Sequence, residues 1–242
     1  MYQGDYIPSA PVNDEARKRN GNLPGQGGVY NTVNLHVYHY AGNNPVKYVD
    51  PTGRDAWEVT STWDESKETE FRNLYTTNAI NLANEAQKNN EIIDCADLAL
   101  AALAETASTM GLKLTFTIWD SSNKKWSDIS SSDSKFNNKA EFISHIKKNM
   151  GAINLLDDRI THSTSEIKKG DLIMFDLRSD MNPNYGGHTV IMTGIVNASK
   201  GIINTVQGHI GSTPTIEHYT INESMYGAMP QYRSFRFDRL FK

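Results

Sequence analysis

The chain has 242 residues, 38 % of them hydrophobic and 21 % charged, which is enough to bury a core as one large domain or a domain with an appendage and excludes a disordered or fibrous chain. A net charge of −4, with no Lys/Arg stripe interleaved with aromatics, argues against nucleic acid as a partner, and the single cysteine excludes an internal disulfide. The amino terminus lacks a basic segment followed by an apolar run, and no stretch approaches about 18 apolar residues, so neither a signal peptide nor a membrane span is expected.

Residues 1–53 hold four basic and four acidic side chains, leaving 20 basic against 24 acidic for residues 54–242, which therefore carry the whole deficit. The first segment is rich in Pro, Gly and Asn and has one alternating aromatic strand, Val33 to Tyr40. His36 and His39 on that strand face opposite sides, which makes them poor joint metal ligands. Asn34 to Gly53 reads NLxxYxYxGNNPVxYxDPTG, and this run resembles the end of the Rhs-repeat core, the shell of polymorphic toxins that closes just before a variable carboxy-terminal effector. The resemblance implies a remnant or plug of a hollow β-shell over residues 1–53. It also implies an aspartyl self-cleavage motif formed by Asp50, Pro51 and Gly53, with an effector domain over residues 54–242. Arg54 follows the motif where that family usually has an aliphatic residue. From the residues alone, Pro51-Thr52-Gly53 is equally a tight turn ending a strand.

Asp64 or Ser66 can cap a long helix running to about Gln87, with Phe71, Leu74, Tyr75, Ala79, Leu82, Ala83 and Ala86 on one face. That face is expected to pack on a second helix. Asp94 is a good N-cap, Ala96 to Ala104 is apolar apart from Asp97, and Gly111 supplies a left-handed stop. Cys95 thus falls in the first helical turn, where unpaired N–H groups and the helix dipole favour thiolate over thiol. A short strand, Leu112 to Trp119, follows. The Ser/Asp/Lys/Asn-rich stretch from Asp120 to Asn138 reads as a surface loop, and Lys139 to Met150 as an amphipathic helix with Phe142, Ile143 and Ile146 inward. Beyond residue 167 the pattern is strands: Asp171 to Leu177, Thr189 to Val196, Gly201 to Gln207, Thr215 to Ile221 and Tyr232 to Asp238. Helices first and strands second, with short connections, predict an α+β fold of helices packed on an antiparallel sheet.

Gly186-Gly187-His188 places a histidine at the start of an apolar strand, behind glycines that allow close approach. Gln207 and His209 end the next strand, where either can present a polar group to the histidine ring. Cys95, His188 and one of these two would make a nucleophile, a base and an orienting group. Asp94-Cys95, Gly170 to Phe175, and Gly187-His188 resemble the signature of papain-like NlpC-type peptidases and CHAP amidases, over roughly residues 90–210. The resemblance implies a papain-like fold and a cysteine-dependent amide hydrolase needing no cofactor or metal. Departures are Ala96-Asp97, where those enzymes carry a serine and a small residue, and a long Cys-to-His separation. Together the two resemblances imply an interbacterial toxin delivered by a specialised secretion system. Its substrate would be a peptidoglycan stem peptide or a target-cell protein, and it would be neutralised by an immunity protein. The alternative is a non-catalytic binding or shell-plug module in which Cys95 is a buried core residue.

Overall fold

A computed structural model describes residues 55–120, 123–178, 186–225 and 227–242. The motif residues Asp50, Pro51 and Gly53 lie outside the described residues. Arg54–Lys242 forms one unit of helices and antiparallel sheets.

Helix α1, Glu68–Asn89, is entered through a single 3-10 turn, Glu65–Lys67. Asp64 is the cap, its carboxylate accepting the Ser66 N–H at 3.0 Å. The buried face of α1 carries Phe71, Tyr75, Ala79, Ala83 and Ala86, and its alanines, at spacings of four and three, let the next helix approach closely. That helix, α2, is Cys95–Thr109. A run of Ala and Leu propagates helix readily, and being apolar all round it is buried on almost every side, from Leu98 to Ala104 without interruption. Gly111 ends it at φ +62, where a Cβ would stand 2.0 Å from Thr60 Oγ1.

Strands β1, Thr115–Asp120, and β2, Lys125–Ser130, form an antiparallel hairpin. This corrects the expectation of a surface loop over Asp120 to Asn138. Composition there is polar because the first four residues of β2, Lys125 to Asp128, are exposed or half-buried, but Ile129 pairs with Phe116 and is buried. Ser131 and Phe136 are buried as well, Phe136 meeting Phe142 edge-on at 5.2 Å between ring centroids. Helix α3, Lys139–Asn149, is capped by Asn138, and Phe142 and Ile146 are its buried residues.

The main sheet has six strands: β3, Thr161–Ser163; β4, Leu172–Asp176; β5, Gly187–Asn197; β6, Ile202–His209; β7, Ser212–Thr220; and β8, Gln231–Phe235. The spatial order is β3-β8-β4-β5-β6-β7, and every pairing is antiparallel. Leu172, Met174, Ile191, Val206 and Phe235 belong to the core shared with α1 and α2. Ile173, Phe175, Val190, Met192, Ile203 and Tyr219 form a second, smaller cluster on the opposite face, packed by Met225, Ala228 and Tyr232. The last predicted strand stops at Phe235, short of Asp238. The chain turns there into α4, Phe237–Leu240, so that Phe237 and Phe241 can pack on Trp63 and Phe71.

Arg72 ties α1 to the sheet. Its guanidinium donates to Asp171 Oδ1 and Ser234 Oγ, each at 2.7 Å, and to the carbonyl of Lys169 at 3.1 Å. Asp171 is 1 % exposed, and its other oxygen accepts the Lys168 N–H at 2.7 Å. The Gly170-Asp171 pair that opens the apolar strand is therefore a structural anchor, with Gly170 at φ +85 against the Arg72 stem.

Candidate active site

Asp94 caps α2 in extended backbone, its carboxylate accepting the Asp97 N–H at 2.8 Å, and this makes Cys95 the first residue of the helix. The segment just ahead of it is held by the end of β6. His209 N–H donates to the Ile93 carbonyl at 2.9 Å. Gly208 lies so close that a Cβ would stand 2.3 Å from the Asp94 carbonyl oxygen and 2.4 Å from that of Ile93. No residue but glycine fits there. Because β5 runs antiparallel to β6, the start of β5 lies at the same end of the sheet, and the Cys95 thiol meets the backbone N–H of Thr189, the residue after His188.

Cys95 is 8 % exposed. Burial pushes its thiol up, and the Asp94 carboxylate adds to this. The N–H groups of Thr189, Ala96 and Cys95 itself pull the other way without prevailing. The thiolate expected from the helix terminus alone is thus not the resting form, since desolvation of the charged sulfur outweighs the helix end.

His188 is 7 % exposed and pairs with Phe175 across β4 and β5. Its Nε2 lies 2.5 Å from Gln207 Oε1. Burial pushes the imidazole down, the Gln207 bond opposes that, and His209 lowers it further while Glu217 and Asp94 raise it. With the thiol pushed up and the imidazole pushed down, the two rest as a neutral pair near pH 7.

His188 and Gln207 are therefore bonded to each other on the sheet face that carries Phe175, and Cys95 lies at the same end of the β5–β6 pair, beside the Thr189 N–H. His209 is not hydrogen-bonded to His188. Its ring stacks on that of His188 at 6.2 Å, and its Nε2 lies 2.8 Å from Thr215 Oγ1. Sequence reasoning passed over Glu217. Its carboxylate accepts from Gln207 Nε2 and, at 2.9 Å, from the Thr215 hydroxyl. The signal was the period of two on β7, where Thr215 pairs with Gln207 and Glu217 with Thr205, all on the face that carries His188. A cavity of about 330 Å³ opens beside this network, lined by Gln207, Glu217, Tyr219 and Met225 among others.

Of the two glycines before His188, Gly187 is tight, a Cβ there falling 3.0 Å from the Phe175 carbonyl, while Gly186 has nothing within 4 Å. Among the described residues no three His, Cys, Asp or Glu side chains gather as a metal site, and no helix is long and apolar enough to cross a membrane. No protein-family model, curated protein or solved structure matches this chain.

Proposed function

We propose that residues 54–242 are a cysteine-dependent amide hydrolase with a papain-like, NlpC-like arrangement. In this reading Cys95 is the nucleophile, His188 the general base and acid, and Gln207 the orienting residue. The observation that carries the reading is the lone cysteine at a helix start, its sulfur against the N–H beside His188, while His188 Nε2 is bonded to Gln207. An amide oxygen accepts, so Gln207 Oε1 holds the proton on Nε2 and assigns Nδ1 as the basic nitrogen.

From the neutral pair, the thiol proton passes to His188 Nδ1 as sulfur bonds to the substrate carbonyl carbon. The carbonyl oxygen takes the negative charge, for which the Cys95 backbone N–H is a donor. As the C–N bond breaks, His188 returns the proton to the departing amine and a thioester remains. Water then adds to it with His188 again taking a proton, and C–S cleavage restores thiol and imidazole.

The Rhs-like run ahead of this domain supports the further reading that the hydrolase is the effector of a polymorphic toxin, with an immunity protein as partner and a peptidoglycan stem peptide or a target-cell protein as substrate. Incubating the protein, and its Cys95→Ala variant, with purified peptidoglycan and with whole-cell lysate tests this. Products of new mass with the wild type only are expected, and identical digests refute it. The 8 % exposure of Cys95 favours a second reading, a non-catalytic binding or shell-plug module, which that null result would select.

A further inference from the structure

We propose that Glu217 is a positioning residue that sets the tautomer of His188 through Gln207, an inference that rests on the reading just given. A carboxylate only accepts hydrogen bonds, and Glu217 accepts one from Gln207 Nε2. The Gln207 amide is thereby locked with its NH₂ towards β7 and its oxygen towards His188, 2.5 Å from Nε2. Replacing the carboxylate removes the acceptor that distinguishes the two ends of the amide. A flipped amide would aim an N–H at Nε2, which must then be the lone-pair nitrogen, and the proton would move to Nδ1, where it blocks the uptake of the thiol proton. Glu217 therefore favours Nδ1 as the base.

The carboxylate is itself held. Thr215 Oγ1 donates to Glu217 Oε1 at 2.9 Å, and a hydroxyl committed as donor there accepts from His209 Nε2 at 2.8 Å. The resulting order is His209 to Thr215 to Glu217, with Gln207 donating to the same carboxylate and accepting from His188. His209, a candidate orienting group from sequence, acts at the far end of this chain.

Glu217 is exposed, so Glu217→Gln, its near-isostere, leaves the fold intact and replaces the pure acceptor with an amide that can donate or accept. Ring-nitrogen NMR of His188 at pH 7.5 or above reads the tautomer directly. Wild type is expected as Nε2–H, and Glu217→Gln as a mixture with Nδ1–H. On a substrate cleaved by wild type, Glu217→Gln is expected to lower kcat by about 10- to 100-fold with KM little changed, by analogy with the loss of an outer-shell partner of a metal-bound histidine, and Glu217→Asp to recover part of it. An unchanged His188 tautomer in Glu217→Gln overturns the inference whether or not a substrate is cleaved. A changed tautomer in a protein that cleaves nothing upholds it and refutes the hydrolase reading alone.

Discussion

Gly208→Ala is the sharpest test of how the site is built. The new methyl carbon would lie 2.3 Å from the Asp94 carbonyl oxygen, 2.4 Å from that of Ile93 and 2.5 Å from the Asp94 carbonyl carbon. Carbon and oxygen are in ordinary contact at roughly 3.4 Å, so one backbone must retreat by about 1 Å. All three atoms belong to backbone, and the Ile93 carbonyl is also tied to the His209 N–H, so no side chain can swing aside. Overpacking of this kind costs about 1–3 kcal/mol. For a domain of this size that is a Tm lower by roughly 2–12 °C. Relief by moving the Ile93-Asp94 segment carries Cys95 with it, and a displacement of about 1 Å at a reacting atom is worth on the order of 100-fold in turnover. Differential scanning calorimetry and product formation on a wild-type substrate read the two effects, with Gly151→Ala, which meets nothing within 4 Å and lies outside the site, as the silent control. A Gly208→Ala protein matching the control in both would refute the claim that the end of β6 sets the position of the thiol.

Iodoacetamide alkylation of native Cys95 is expected to rise only above the ordinary thiol range of about pH 8.5, and to fall back to that range in urea, because burial holds the proton on sulfur. A rate already half-maximal below pH 7 would refute the neutral resting pair. By linkage the same two groups narrow the stability range. The unfolded chain protonates His188 first as pH falls below about 6.5 and ionises Cys95 first as pH rises above about 8.5, so both groups favour unfolding outside that window, which urea titrations against pH will show. Arg72→Met leaves the Asp171 carboxylate buried without its cation, and a loss of about 3–5 kcal/mol is expected in urea unfolding, with Asp171→Asn restoring part of it. Phe136→Ala is expected to cost about 3–5 kcal/mol in the same assay, since Phe136 sits in the core against Phe142, and a cost near zero would return its segment to the surface.

Where one physical signal dominated, the fold was legible in the sequence. Asp94, the Ala/Leu run and Gly111 give α2 a cap, a propagating segment and a stop, and the helix forms over Cys95–Thr109 as that predicts. The short apolar runs of β4 to β7, bounded by Gly, Asn and Pro turns, likewise specify strands, and the short β5–β6 and β6–β7 turns compel antiparallel neighbours. Legibility failed where two signals competed. Between Asp120 and Asn138 the polar composition masked the Phe116–Ile129 pair, because a hairpin with one wet face needs few apolar residues. At the carboxy terminus Phe235 and Phe237 continue the strand period, yet the pull of Trp63 and Phe71 on Phe237 and Phe241 ends the strand early. That contact spans most of the domain and has no local trace.

At the site, residue types were legible and electrostatics were not. Spacing brought Cys95, His188 and the Gln207/His209 pair into view, but that Gln207 bonds the His188 ring while His209 stacks on it shows only in the folded sheet. The thiol shows the same division. A helix terminus favours thiolate by local dipoles, whereas burial opposes it through everything packed around the sulfur, and only the folded chain shows that burial prevails. The consequence for mechanism is specific. If the resting pair is neutral, moving the thiol proton to His188 becomes part of the attack itself, and the residues that fix the lone pair on Nδ1 matter as much as the nucleophile. In the proposed hydrolase that weight falls on Gln207 and Glu217, two residues whose contacts cannot be read from the helix that carries Cys95.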